Sequence, residues 1–210
     1  MFNLECLICV LIIMYSLIYQ IRVIIKYNAN KKINLNDASG LFVAKDILNK
    51  NDYGTLYVTK INGKYNDHYD IERNVIRLSE EVYEESNMGS LTIGFYVAIN
   101  AIFYSKNKKR KEDKVKRLIL DWANKVSFVL FILGVSSKAF DVMSLSLLVM
   151  IVVIIVKYNT INKKSELVEE NINYLKKEYK IKQKDIEIIE STINLLLLNE
   201  ISLHIFNDKY

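Results

Sequence analysis

Long apolar runs alternate with short charged segments along the chain. Leu4 to Ile25 is apolar apart from Glu5, Gln20 and Arg22, long enough to cross a bilayer as a helix of about 20 residues. Val126 to Val135 and Phe140 to Val156 are strongly apolar and separated by Ser136-Ser137-Lys138. They predict a transmembrane hairpin whose first arm must start near Leu118 to reach spanning length. Between these membrane segments the periodicity changes. Leu41 to Leu48 carries apolar residues at helical spacing after the cap-like cluster Asn36-Asp37-Ala38-Ser39-Gly40, which predicts a helix with a defined start. Thr55 to Ile61 is β-rich, and Asn62-Gly63 predicts a hairpin into a second strand at Lys64 to Tyr69. A third strand is expected at Asn74 to Leu78, giving a short antiparallel sheet. Gly89 to Tyr104 is apolar but only 16 residues long, short for a span, and predicts a buried core helix at or in the membrane interface. On it Thr92, Tyr96, Asn100 and Tyr104 recur every four residues and form one weakly polar stripe.

The last quarter differs again. Ser165 to Tyr179 is charged and helical in pattern. From Asp185 onwards Ile186, Ile189, Ile193, Leu197, Ile201 and Ile205 step by three or four, an amphipathic stripe. Glu190, Asn194, Asn199 and Glu200 argue against a fourth clean span, so this helix is expected to pack on the soluble part or on a partner helix. His204, near its end, reads as exposed or capping. The pattern divides into an anchor at 1–26, a mixed α and β region at 27–117, the transmembrane hairpin at 118–158 and a helical C-terminal region at 159–210. The fold class is that of an α+β membrane protein.

Composition supports this class. Of 210 residues 51% are hydrophobic and 25% charged, a combination that suits membrane segments joined by charged loops better than one soluble domain. Proline is absent while Lys, Asn, Ile and Tyr abound, a bias expected of an AT-rich genome that weakens propensity arguments. The net charge of +5 could serve nucleic acid, but the basic clusters sit beside the apolar runs, as at Lys106 to Arg117, which favours lipid headgroups and no nucleic acid. Lys26, Lys31 and Lys32 follow the first run and no basic residue precedes it. A signal peptide would have its basic end first and a cleavage site after the run, so the segment reads as an uncleaved anchor. The same bias places the N-terminus outside and the following region in the cytoplasm. Lys157, Lys163 and Lys164 return the chain to that side. The location is the cell membrane, crossed several times, with the main soluble region cytoplasmic. Cys6 and Cys9 are the only cysteines and flank Leu7-Ile8 inside the first run. They read as small apolar residues of a membrane helix, with no second pair to complete a Cys₄ site.

One stretch carries more than pattern. N-G-K-Y-N-D-H-Y-D-I-E-R-N-V-I-R-L-S-E-E-V-Y, Asn62 to Tyr83, resembles in order the signature that precedes the active-site helix of the bacterial membrane-bound neutral zinc metallopeptidases of the YugP type. Ser39-Gly40 with Val43-Ala44 and Ile47-Leu48 is similar to another of that family's stretches, with a shorter link. Ala123-Asn124 is similar to an A-N pair. The likeness covers most of the chain, densest from Gly63 to Tyr83 and thinnest after Ser165. It implies a small zincin-like domain, a short sheet with an active-site helix carrying H-E-x-x-H. In such a motif two His at i and i+4 bind zinc from one helix face while the Glu polarises the attacking water. Matching L-S-E-x-V-Y to Leu78 through Tyr83 and the closing A-I to Ala101-Ile102 puts the His positions on Tyr96 and Asn100 and the Glu on Val97. The family's later acidic position, in V-E-F-[DN]-A-S-R-R, falls on Lys157. With only His68 and His204 in the chain, no register supplies two His four apart.

The resemblance therefore implies a degenerate member, a pseudoenzyme related to hydrolases, whose expected catalytic positions are replaced and for which the family's zinc has no supporting ligands in the sequence. It would act by binding, with the lipid bilayer and a membrane protein or an active relative as partners. The alternative is a working peptidase with an atypical metal site drawn from Asp67, His68, Asp70, Glu80 and Glu81. Asp67-His68-Tyr69-Asp70 itself has two readings, a remnant binding motif or a turn whose side chains hydrogen-bond the neighbouring backbone. Its presence beside a missing H-E-x-x-H favours the second.

Overall fold

The computed structural model describes residues 4–34, 38–64, 66–106 and 110–201, and of residues 110–114 and 117 only the backbone. Asn36, Asp37, Tyr65, residues 107–109 of the basic run, His204 and Ile205 lie outside the described residues. The elements are α1 (Leu4–Asn30), α2 (Gly40–Lys50), β1 (Tyr57–Ile61), β2 (His68–Asp70), β3 (Val75–Ser79), α3 (Glu80–Glu84), α4 (Met88–Lys106), α5 (Arg110–Ser137), α6 (Phe140–Glu178) and α7 (Gln183–Ile201). This is an α+β membrane protein, mostly helical with one small sheet.

Four of the described helices, α1, α4, α5 from Leu118, and α6, are long and apolar enough to cross a membrane. They fall into two kinds. Only 17% of the apolar window of α1, 17% of that of α5 and 22% of that of α6 is buried within the protein, against 78% for α4. The first three present large apolar side chains outward, among them Leu11, Ile18, Leu118, Trp122, Leu148 and Val152, as helices facing lipid do. In α4 the whole run from Met88 to Ile99 is buried. It is apolar all round because other elements surround it.

What surrounds α4 is the rest of the soluble part. One hydrophobic cluster joins α2, the sheet, α4, the C-terminal half of α6, α7 and the C-terminal end of α1 through residues such as Ile47, Ile76, Phe95, Leu175, Ile193 and Tyr27. Ser39 caps α2, its Oγ accepting from the Phe42 N–H at 3.3 Å, and this starts the helix where the sequence places its cap cluster. α2 then crosses α4 backbone to backbone. A Cβ on Gly94 would stand 2.2 Å from the Gly40 carbonyl oxygen, so only glycines permit this approach. α6 runs unbroken from Phe140 to Glu178, through the change from apolar to charged sequence near residue 158. A second, smaller cluster of Cys9, Met150 and Val153 joins α1 to α6. The arms of the hairpin are tied where the Ser146 hydroxyl donates to the Ser127 carbonyl at 2.7 Å.

The sheet corrects the expected pairing. Its order is β1-β3-β2, with β3 antiparallel to β2 and parallel to β1, so the sheet is mixed and Asn62-Gly63 does not close a β1–β2 hairpin. The cause is burial. β3 places Ile76 and Leu78 in the core and takes the centre, whereas β1 has no fully buried position. β2 therefore lies on the far side of β3 from β1. The hairpin forms instead at 71–74. There Asp70 Oδ1 accepts the N–H groups of Glu72 and Arg73, each at 3.0 Å, and Asn74 adopts φ +56°, a conformation Asn tolerates.

Candidate functional site

The helix α4 and the segment Asp67 to Asp70 meet, as the sequence places them beside one site. Asp67, Tyr96 and Val97 line one cavity with Val23, Tyr27, Ile93 and Leu196, of about 20 Å³, room for little more than a single water. Tyr96 is 5% exposed and Val97 1%. The cavity wall is almost wholly apolar and too small for a peptide.

Each member of the D-H-Y-D segment is engaged. Asp67 accepts the Ser79 N–H at 2.7 Å and the Ser79 hydroxyl at 2.9 Å. Burial pushes its carboxyl up from the ordinary aspartate value, and the bonds from Ser79 only partly oppose this. His68 donates from Nδ1 to the Asn66 carbonyl at 2.6 Å. The Tyr69 hydroxyl donates to Asn74 Oδ1 at 2.5 Å, and its ring stacks on Tyr104 of α4, centroids 6.5 Å apart at 13°. Asp70 pairs with Arg77 at 3.0 Å. Although burial acts upward on the Asp70 carboxyl, the Arg73 and Glu72 N–H groups and the Arg77 and Arg73 charges together hold it below its usual value.

The polar stripe of α4 is answered by two residues from the other end of the chain. The Tyr96 hydroxyl donates to Glu200 Oε1 on α7. Glu200 Oε2 in turn accepts from the ammonium of Lys164 on α6 at 2.5 Å. Lys164 is 1% exposed, and its Nζ lies 4.9 Å from the Tyr104 ring centroid and 5.6 Å from that of Phe103, a cation–π arrangement. Asn100 Oδ1 is buried and makes no hydrogen bond among the described residues. Lys157 stands half-buried on α6, two turns before Lys164.

Sequence reasoning missed Lys164 and Glu200 as site residues, reading the first as an orientation charge and the second as a break in an apolar run. A signal was present. On α6 the buried positions Ile161, Lys164, Val168, Asn171 and Leu175 form one stripe, and Glu200 extends the stripe Ile189, Ile193, Leu196 of α7. Opposite charges on two largely apolar stripes are candidates for one buried pair.

This donor set does not fit the divalent zinc that the resemblance implies. Tyr96, Val97 and Asn100 offer neither paired imidazoles nor a general base. Glu200, the carboxylate that accepts from Tyr96, is held by an ammonium. Among the described residues no group of three or more His, Cys, Asp and Glu could hold a metal ion. The five alternative ligands do not converge either. Glu80 pairs with Lys60 at 2.9 Å and Glu81 with Lys31, while Asp67, His68 and Asp70 hold the bonds described above.

Comparison with known proteins gives a family. Residues 5–194 match a family model described as "Putative neutral zinc metallopeptidase". No curated protein and no solved structure matches the chain. Because the match spans nearly the whole sequence, including both α4 and the sheet that carries Asp67 to Asp70, the chain belongs to the neutral zinc metallopeptidase family.

Proposed function

We propose that this chain is a non-catalytic member of its family, an integral membrane pseudopeptidase that acts by binding another membrane protein or an active relative. The observation that carries the reading is the Tyr96–Glu200–Lys164 network. At the helix position given to the first zinc ligand stands a phenol. The positive charge beside it belongs to a lysine of the chain itself. A buried carboxylate needs a cation or donors around it, and Lys164 and Tyr96 supply both without a metal.

Supporting this, α7 packs over α4 and leaves beside Tyr96 only a cavity of about 20 Å³, so a peptide has no room at that position. Binding would use the outward apolar faces of α1, α5 and α6, which a partner in the bilayer can reach. In this reading residues 27–117 form the degenerate zincin-like unit, 1–26 its anchor, 118–158 the hairpin, and 159–210 the helical region docked against the former active-site helix. The soluble part faces the cytoplasm, as Lys26, Lys31 and Lys32 at the inner end of α1 favour.

Elemental analysis of the detergent-purified protein tests the loss of the metal site, beside the Asp67→Ala/His68→Ala variant. The expected zinc content is far below one ion per chain and equal in both. About one zinc per chain that the variant loses would overturn the reading and restore a rebuilt peptidase site at the sheet.

A further inference from the structure

The fold leaves Asn62-Gly63 without the role that its sequence suggests. In a two-residue hairpin the turn fixes both residues between paired strands. Here β1 pairs with β3 and not with β2, and its ladder ends at Ile61 opposite Ser79. Asn62 is the first residue beyond that end. Asn62, Gly63 and Lys64 are all exposed. Among the described residues neither the Asn62 amide nor the Gly63 N–H has a hydrogen-bond partner. Gly63 takes φ +101°, a conformation open to glycine, and with no Cβ it does not crowd its own nitrogen.

These are the conditions for a reaction within the chain. An asparagine holds an electrophile, its side-chain Cγ, close to the backbone nitrogen of the next residue. When the Gly63 nitrogen bonds to Asn62 Cγ it gives up its proton, the bond from Cγ to the side-chain amide nitrogen breaks, and ammonia leaves. The product is a five-membered succinimide. Water opens that ring at one carbonyl to give aspartate, or at the other to give isoaspartate, in which the backbone runs through the former side chain. Water is the only co-reactant. Where the next N–H is held in a helix, the nitrogen is not free to move in. Asn49 is also exposed, but it and Lys50 lie in α2, where the N–H of each residue is bonded to the turn before.

We propose that Asn62-Gly63 is a site of spontaneous deamidation in the folded protein. The new carboxylate stands on the wall of the groove that also carries Arg73, and the formal net charge of +5 falls by one. Because the change lies past the last paired residue of β1, the sheet survives it. The result is a slow, one-way change of surface charge on the soluble part.

Incubation of the full chain in detergent at mildly alkaline pH, followed by peptide mass spectrometry, tests this. The peptide that holds Asn62 should gain the mass of an amide turned into an acid and split into two chromatographic forms. The isoaspartate form should accept a methyl group from an isoaspartate-specific carboxyl methyltransferase. The rate in the folded protein should approach that in the denatured chain, while folded Asn49 reacts at least about tenfold more slowly, because α2 must first open. Asn62→Gln, whose longer side chain would have to close a six-membered ring, should remove the gain without shifting the thermal midpoint. An Asn62 amide that persists in the folded protein but is lost in the denatured chain would overturn the proposal. Equal rates at Asn62 and Asn49 in the folded protein would overturn it as well, as would undiminished methyl acceptance by Asn62→Gln.

Discussion

The ammonium of Lys164 and the carboxylate of Glu200 meet at 2.5 Å, with the lysine fully buried and the glutamate side chain 17% exposed. The pair joins α6 to α7, and through the Tyr96 hydroxyl it joins both to α4. Removing one member of such a pair strands the other charge, at about 3–5 kcal/mol, whereas replacing both by apolar groups can cost nothing. Lys164→Met alone is therefore expected to lower unfolding stability by about 3 kcal/mol or more, and Lys164→Met/Glu200→Leu by much less. Denaturant titration in detergent of the two single variants and the double measures the coupling. Additive losses would show that the pair is only incidental to the packing of α7.

The crossing of α2 on α4 makes a steric prediction. Because a Cβ at Gly94 would lie 2.2 Å from Gly40 oxygen and 2.8 Å from its Cα, backbone and not a pliable side chain must move. Gly94→Ala should destabilise by about 1–3 kcal/mol, although alanine raises helix propensity. Gly54→Ala, whose Cβ would meet mainly the Asn49 side-chain oxygen at 2.1 Å, should cost less, since that side chain can swing away. The same titrations compare the two.

Much of this arrangement was legible in the sequence. Apolar length found the three helices with outward apolar faces; α4 is buried as expected, but at 19 residues it is long enough to span, so its burial and not its length marks it as a core helix. Ser39 before Leu41 to Leu48 found the start of α2. Strand pairing was less legible, because Asn62-Gly63 is a strong local turn signal and the position of β3 is decided by burial of Ile76 and Leu78 against α4. The partners of the α4 stripe were illegible for another reason. Glu200 lies 104 residues from Tyr96 and Lys164 36 residues before Glu200, and in a chain with 29 Lys and Arg one buried lysine does not stand out. What marks it is its place on an apolar stripe.

Asp67 should make stability depend on pH. Its folded value lies above the ordinary 3.8 because burial disfavours the charge, so the folded state holds this proton more tightly than the unfolded chain. The resulting stabilisation is complete below the unfolded value and is lost as pH rises through the folded one. Asp70, held below 3.8, acts oppositely: its contribution is present above the unfolded value and lost as pH falls through the folded one. Asp67→Asn keeps an oxygen to accept the Ser79 N–H and cannot ionise. Above pH 3.8 its stability should therefore fall less with rising pH than that of the wild type. Denaturation midpoints from acid to neutral pH measure the difference, and parallel curves would remove Asp67 from the account.

Orientation can be read from two exposed positions. Ser137, at the turn between α5 and α6, and Tyr57, 75% exposed on β1, lie on opposite sides of the bilayer if the soluble part is cytoplasmic. In a Cys6→Ala/Cys9→Ala background, a membrane-impermeant maleimide should label Ser137→Cys in intact cells. Tyr57→Cys should react only after lysis. The reverse pattern would invert the topology inferred from the basic residues.

Building an H-E-x-x-H on α4 is the sharpest test of the proposal that Lys164 stands in for a metal. Tyr96→His/Val97→Glu/Asn100→His would rebuild H-E-x-x-H on a helix that already has the required spacing. Lys164 is still there, its ammonium bound to the carboxylate next to position 96. A divalent ion and an ammonium at such range repel by several kcal/mol even at an effective dielectric constant of about 20. The triple variant is therefore expected to bind zinc poorly. Adding Lys164→Met removes the competing cation and frees the Glu200 carboxylate to serve as a third, oxygen ligand beside the two imidazoles, so the quadruple variant should bind at least about a hundredfold more tightly, the equivalent of about 2.7 kcal/mol. Zinc titration against a chromophoric chelator compares the two. Equal affinity would mean that Lys164 does not compete with a metal at this position, against the proposal that its charge replaced one.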